Sequence, residues 1–314
     1  MSENKIEHRH YINAINNEVI FNPNGYVRYC ENTYTRNLYK VAASISAKKG
    51  NKIVMLAGPS SSGKTTSSLK LSAMLGRTGH ECSCIHLDDF YKNRADIPAG
   101  PDGKQDLEGI DSLQLDLLAE TLRDLAVKGE ASLPEYDFST GTRNDCVSRL
   151  TLKPGDAVIV EGIHALNPQL FTYLPEENIS KAYVSIDSEI CFGTGELLLN
   201  KREIRFLRRM IRDYNYRNSS VENTFEMWPD VIKAEESNFF PFRDDAEYKI
   251  DTIHPYEVCV YRNKALGLLG EVPEDSRYYE KASVLSKKLS GIEPMSKEMV
   301  PHTSLLNEFI TRTE

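Results

Sequence analysis

No stretch of the 314-residue chain approaches the 18 or so consecutive apolar residues that a membrane helix needs. The N-terminal run MSENKIEHRHY is polar and holds no apolar core of a secretion signal. Zinc-type cysteine spacing is missing too. Of Cys30, Cys82, Cys84, Cys146, Cys191 and Cys259, only Cys82 and Cys84 are close, and they form C-x-C with no second pair. They alternate in an apolar run, which suits buried strand thiols. A basic excess is also absent: the net charge is −8 and the pI near 5.5, which argues against RNA or DNA as main partner. No repeat or low-complexity tract stands out. What remains is a cytoplasmic, reducing compartment and a small-molecule partner, with no membrane and no nucleic acid. A homo-oligomer is compatible with this. The content, 40% hydrophobic and 27% charged, suits one large domain with or without appendages.

Residues 52–66, KIVMLAGPSSSGKTT, are the most informative stretch present. Ile53 to Ala57 form a short, β-prone apolar run. Gly58 to Thr65 then fit G-x-x-x-x-G-K-[ST] without mismatch. Leu71, Met74 and Leu75 follow at helical spacing. In such a strand–loop–helix unit the glycines at 58 and 63 let the backbone turn and approach a ligand. The N–H groups around Ser60, Ser61 and Ser62 form an anion nest at the helix N-terminus. Lys64 supplies a point charge for the β- and γ-phosphates, and Thr65 a hydroxyl for Mg²⁺.

Further strands are expected at Cys82 to Leu87, Ala157 to Val160, Ala182 to Ile186 and Tyr248 to Ile250, with helices between them. That alternation implies an α/β fold with a five-stranded parallel sheet and right-handed crossovers. Ligands gather at the carboxyl ends of such strands, where Asp88, Asp89, Glu161 and Asp187 stand. The expected organisation is an N-terminal extension over 1–48 with a helix from 31, a P-loop core over 49–260, and a helical extension over 261–314. Asn22-Pro23-Asn24-Gly25 reads as a turn, 92–110 as a long functional loop, and 257–269, 274–290 and 303–312 as helices.

Residues 200–236 are helical and basic, a candidate lid. Arg205, Arg208, Arg209 and Arg212 share one face at i, i+3, i+4 and i+7. Within the helix only Glu203 and Asp213 oppose six arginines, so an anion is expected there. Phosphoryl transfer needs a cradle, a metal, a positioned nucleophile and positive charge. Glu161 is the candidate metal carboxylate beside Thr65. Asp88 is the candidate base, chosen over Asp89 because neighbouring strand residues face opposite ways. Tyr91, Tyr136 and Phe138 offer flat faces for a ring, Asp106 can pair with vicinal hydroxyls, and Arg143 can reach a carbonyl or phosphate.

The motifs GPSSSGKTT, LDDFYKNR, PEYDFSTGTR, VIVEGIHALNP and RRMIRDYNYR occur in the order seen in the uridine kinase and phosphoribulokinase family. The chain resembles its bacterial nucleoside-kinase-like branch. This resemblance implies a P-loop kinase that transfers the γ-phosphate of ATP or GTP, with Mg²⁺, to a nucleoside 5′-hydroxyl. The alternative acceptor is a sugar, sugar phosphate or other small alcohol, and the rival class is a non-catalytic nucleotide-binding regulator. By motif, Gly58 to Thr66 hold phosphate, Arg212 and Arg217 add charge on ATP, and Arg209 faces the acceptor. Tyr91, Asp106, Tyr136, Phe138 and Ile163 line the acceptor site. Uridine kinases carry a histidine after the Y-D-F segment. The matching place here is Gly141, and the usual R-G-R of the lid reads Arg217-Asn218-Ser219.

Overall fold

A computed structural model describes residues 9–49, 52–77, 81–98, 105, 109–171, 179–238 and 240–310. Five strands form the central sheet: β2 (Lys52–Ala57), β3 (Cys82–His86), β6 (Ala157–Glu161), β7 (Ile179–Ser185) and β10 (Tyr248–Asp251). Their order across the sheet is β3, β6, β2, β7, β10, and every neighbouring pair is parallel. The first core strand therefore lies in the middle. From β2 the chain goes to the edge strand β3, returns to β6 between them, then crosses to the other side. That change of direction opens a crevice at the carboxyl end of β2.

Period-two alternation decides how β2 is buried. Val54 and Leu56 face one apolar layer, while Ile53, Met55 and Ala57 face the other. All five are at most 2% exposed. Each large side chain so buried contributes about 1.5–3 kcal/mol as an upper figure. On the first side pack α2 (Pro23–Ser46), α3 (Lys64–Gly76), α5 (Lys201–Arg217), α7 (Glu257–Gly270) and α8 (Tyr279–Ser290). On the second packs α4 (Leu115–Val127), through Leu118, Leu122 and Leu125.

Several elements differ from the sequence expectation. The N-terminal segment is ordered from β1 (Arg9–Tyr11) through α1 (Ile12–Phe21) into α2. Asn22 breaks the helix at φ −147°, but Pro23 occupies the first helical position, so the expected turn is the start of a 24-residue helix. Residues 130–151 form a hairpin of β4 (Glu130–Asp137) and β5 (Thr142–Thr151), with Pro134 at a register shift. The segment before the basic helix adds β8 (Glu189–Cys191), which pairs with β1, and β9 (Leu197–Leu199), which pairs with β8, in a small second sheet. The basic region is two helices rather than one. After α5, Asn218 turns left-handed at φ 50°, and α6 (Val221–Asn238) begins anew. The third C-terminal helix is reduced to a 3₁₀ turn at Leu305–Glu308.

Candidate active site

Ser61 and Gly63 adopt left-handed conformations, at φ 57° and 84°. These curl the loop so that successive N–H groups converge. At Gly58 a Cβ would overlap the Val184 carbonyl oxygen, so only glycine lets the loop sit on β7. The buried hydroxyls of Ser61 and Ser62 make no hydrogen bond to any described residue. Orphaned donors in an N–H-lined hollow fit the oxygens of a phosphate chain. Lys64 lies across the loop, its Nζ donating to the Pro59 carbonyl at 3.3 Å.

Thr65 Oγ1 stands 3.5 Å from Glu161 Oε1. That is long for a hydrogen bond, and two hard oxygens so placed suit Mg²⁺, which takes few protein ligands and keeps waters. Among the described residues no cluster of three or more His, Cys, Asp or Glu forms a denser metal centre. Glu161 closes β6, and His86 closes the adjacent β3 at the paired register position. The His86 Nδ1 lies 2.9 Å from Glu161 Oε1. This bond raises the imidazole above its ordinary range. Burial pushes the Glu161 carboxyl up, but the His86 bond, the Lys64 charge and the Thr65 bond outweigh it and hold the group low.

Asp88 and Asp89 do not extend β3. They lie in a 3₁₀ turn, Leu87–Phe90, with Leu87 and Phe90 anchored in the core. The turn, not strand alternation, separates them. Asp89 accepts from the Tyr136 N–H at 3.4 Å and braces the hairpin. Asp88 opens to solvent at its tip, yet dense surroundings push its carboxyl above the ordinary range. Lys64 draws it back, and Glu161 pushes it further up. Lys64, Asp88 and Glu161 thus lie close enough at the strand ends to act on one another's charge.

Tyr91, Tyr136 and Phe138 form an aromatic group beside the Asp88 turn, with ring centroids 5.0–6.3 Å apart. Tyr136 is buried and Phe138 is 58% exposed. Arg143 is committed to the scaffold. Its Nη1 donates to the Tyr91 carbonyl at 2.9 Å, and its Nε pairs with Asp145 at 2.6 Å. Ile163 is half-buried just after Glu161. Asp106 lies outside the described residues. Gly141 takes φ 70° in the hairpin turn and accepts from the Arg94 N–H at 2.8 Å. A Cβ there would stand 3.1 Å from Arg94 Cβ and 3.2 Å from its Nε. A side chain at 141 would therefore be strained by the backbone and would have to shift Arg94.

The arginine face is not a single anion site. Arg205 pairs with Glu235 and donates to the Ser60 carbonyl at 2.9 Å. Arg208 is fully buried, held by Glu257 at 2.6 Å and by the Thr252 carbonyl at 2.9 Å. The counter-charges that the helix lacks come from α6 and α7, which sequence spacing on α5 alone does not reveal. The outer arginines differ. Arg209 donates to Ser60 Oγ at 2.9 Å and pairs with Asp213 at 3.2 Å. Arg212 and Arg217 reach the same carboxylate at 2.8 and 3.5 Å. Three guanidinium groups share one Asp213, so positive charge remains beside the loop.

Three participants escaped the sequence reading: His86, Glu235 and Glu308. Glu235 accepts from the Ser60 N–H at 3.1 Å, and Glu308 from Thr66 Oγ1 at 2.9 Å. No short motif links such distant residues to the loop. His86 alone carried a signal, as the polar residue that ends an apolar strand next to Asp88.

A model of the Phosphoribulokinase / Uridine kinase family matches residues 53–194. A uridine kinase of Staphylococcus aureus (strain JH9) is 28% identical over 191 residues, covering 61% of this chain and 82% of that one. Among solved structures, a putative fructose transport system kinase from Silicibacter sp. TM1040 aligns with a TM-score of 0.49 at 16% identity, over 68% of this chain and 98% of the other. A possible uridine kinase from Bacillus stearothermophilus aligns with a TM-score of 0.44 at 19% identity, over 69% and 98%. Over residues 53–194 the chain is therefore similar to the phosphoribulokinase and uridine kinase family, and the curated relatives it matches are kinases.

Proposed function

We propose that the protein transfers the γ-phosphate of ATP to the 5′-hydroxyl of a nucleoside. The observation that carries this reading is that Lys64, Asp88 and Glu161 lie close enough to act on one another's charge, with three aromatic rings beside the Asp88 turn. In this reading the 58–66 loop holds the phosphates and Lys64 neutralises charge on the outermost one. Asp88 accepts the proton of the acceptor hydroxyl, and its raised carboxyl is the better matched to that task. Thr65 and Glu161 would hold Mg²⁺, which supplies charge neutralisation between the phosphates when bound. His86 fixes the orientation of Glu161. Arg209, Arg212 and Arg217 would spread positive charge over the phosphate oxygens. Tyr91, Tyr136 and Phe138 pack against the acceptor ring and exclude water.

Arg94 favours a second reading. Its guanidinium packs where residue 141 would project, at the turn of the hairpin. A cation there suits an acidic acceptor such as a sugar phosphate better than a neutral base.

ADP release measured across nucleosides, pentoses and sugar phosphates tests both. Turnover with uridine or cytidine supports the first. Turnover confined to a phosphorylated acceptor, lost in Arg94→Ala, supports the second. Asp88→Asn is expected to keep ATP binding and lose at least ~10²-fold in acceptor phosphorylation. Undiminished turnover in that variant removes Asp88 from the base role.

A further inference from the structure

The last described segment of the chain returns to the nucleotide loop. Leu305, Leu306 and Phe309 are fully buried, and Phe309 lies under the Arg208 guanidinium at 5.0 Å from ring centroid to Cζ. Asn215 donates to the Phe309 carbonyl at 3.1 Å and Tyr216 to the Ile310 carbonyl at 2.9 Å. Leu305 fills the space behind Gly63, where a Cβ would stand 2.5 Å from its Cδ1. The segment is therefore fixed by α5 and by the loop itself. Two of its side chains, Asn307 and Glu308, are polar and half-buried; Asn307 bonds back to carbonyls of its own segment, and Glu308 carries the charge. Glu308 points its carboxylate at the first turn of α3, where Oε2 accepts from Thr66 Oγ1 at 2.9 Å. Glu308 makes no ion pair with any described residue.

This placement is unusual for an acidic group. Thr66 follows Lys64 and Thr65 at the end of a loop built to attract anions. A phosphate chain in that loop competes for the same hydroxyl and repels the carboxylate across a short distance. Glu235 also touches a loop N–H, but Arg205 neutralises it and both are buried. Glu308 has no such ion pair among the described residues; the cation that feels its charge is Arg208, which Glu257 already holds.

We propose that Glu308 is an internal competitor for the phosphate site: a carboxylate held on Thr66 by a fixed C-terminal segment, and displaced from it when nucleotide binds. The inference rests on the reading of residues 58–66 as a nucleotide site. Only the side chain has to turn, because Leu305, Leu306 and Phe309 keep the backbone in place. The consequence is a weaker hold on nucleotide than the loop alone would give, and faster product release.

Titration of wild type, Glu308→Gln and Glu308→Asp with Mg-ADP and Mg-ATP by calorimetry, alongside thermal melts, tests this. Loss of the charge in Glu308→Gln is expected to tighten nucleotide binding about tenfold. The shorter Glu308→Asp, which keeps the charge but draws it off Thr66, should give a smaller gain, and it carries the test where Glu308→Gln does not fold. In a Thr66→Val background the gain from Glu308→Gln should vanish. Unchanged or weaker binding in both Glu308 variants, with wild type binding normally, overturns the proposal. So does a joint fall in melting temperature and affinity, the mark of a bracing role. Absence of nucleotide binding in every variant fails the nucleotide reading itself, and the competitor falls with it. Binding by Glu308→Gln where wild type shows none supports both.

Discussion

Arg208 and Arg212 stand one turn apart on the same helical face, yet they do different work. Arg208 points inward, into a network that runs through Glu257 and His254 to Glu31 and Tyr256. Arg212 shares Asp213 with two other arginines, one of which, Arg209, reaches the loop at Ser60. The inner arginine has as much negative charge as it needs, and the outer group has too little. A helix can therefore brace a phosphate loop from behind and charge it from the side, with the same residue type. What separates the roles is the supply of carboxylates from neighbouring helices, which decides whether a guanidinium is spent on structure or left for a ligand.

Breaking the inner end should have the largest effect. Arg208→Met leaves Glu257 buried without a counter-charge and is expected to cost about 3–5 kcal/mol of stability. Chemical denaturation measures it. Adding Glu257→Leu should recover much of the loss, because the uncompensated charge is then removed. A small change in the single variant would mean that the inner pair is not structural.

The acid limb of stability sharpens the same contrast. Burial opposes ionisation of Glu31, but hydrogen bonds and charge from His254, with help from Ser304 and Tyr256, bring its carboxyl down from 4.5 to about 2. A carboxyl lowered on folding stabilises fully above its unfolded value and less as pH falls through its folded one. Glu31 should thus contribute on the order of 3 kcal/mol above pH 4.5, lost progressively toward about pH 2. Glu31→Gln is expected to flatten that window in melts run across it, with no effect on its slope from Arg212→Ala.

The outer end predicts the smallest stability change. Arg212→Ala should alter stability by no more than ~1 kcal/mol, while weakening nucleotide binding about tenfold. Calorimetric titration and a melt on the same sample separate the two. A large loss of stability with unchanged affinity would erase the difference between the two ends of the helix.

The parallel core was legible because its strands are short apolar runs ended by polar residues. β6 and β10 fall close to where alternation and turn residues place them. β7 begins at Ile179, earlier than its apolar run suggests, because Ser180 and Lys181 still pair with β2. The start of α2 was misread since Asn-Pro-Asn-Gly signals a turn locally, while Pro23 at the first helical position serves a helix equally well. The small sheet of β1, β8 and β9 left no trace, because three-residue strands are too short to show a period and their pairing joins residues about 180 apart. Asp88 was singled out on an argument from strand alternation that does not apply. The 3₁₀ turn at Leu87–Phe90 separates the two aspartates instead.

The sequence by itself determined the phosphate loop, the parallel sheet and the carboxylates at its strand ends. These depend on local chemistry: glycines that must turn, strands that must bury both faces, and acids that follow them. Only the tertiary structure decided which arginines stay available, which aspartate faces Lys64, and that Glu308 lies on Thr66. Each of those depends on charges and hydroxyls brought together from distant parts of the chain, and electrostatic pairing at short range leaves no period in the sequence that would disclose it.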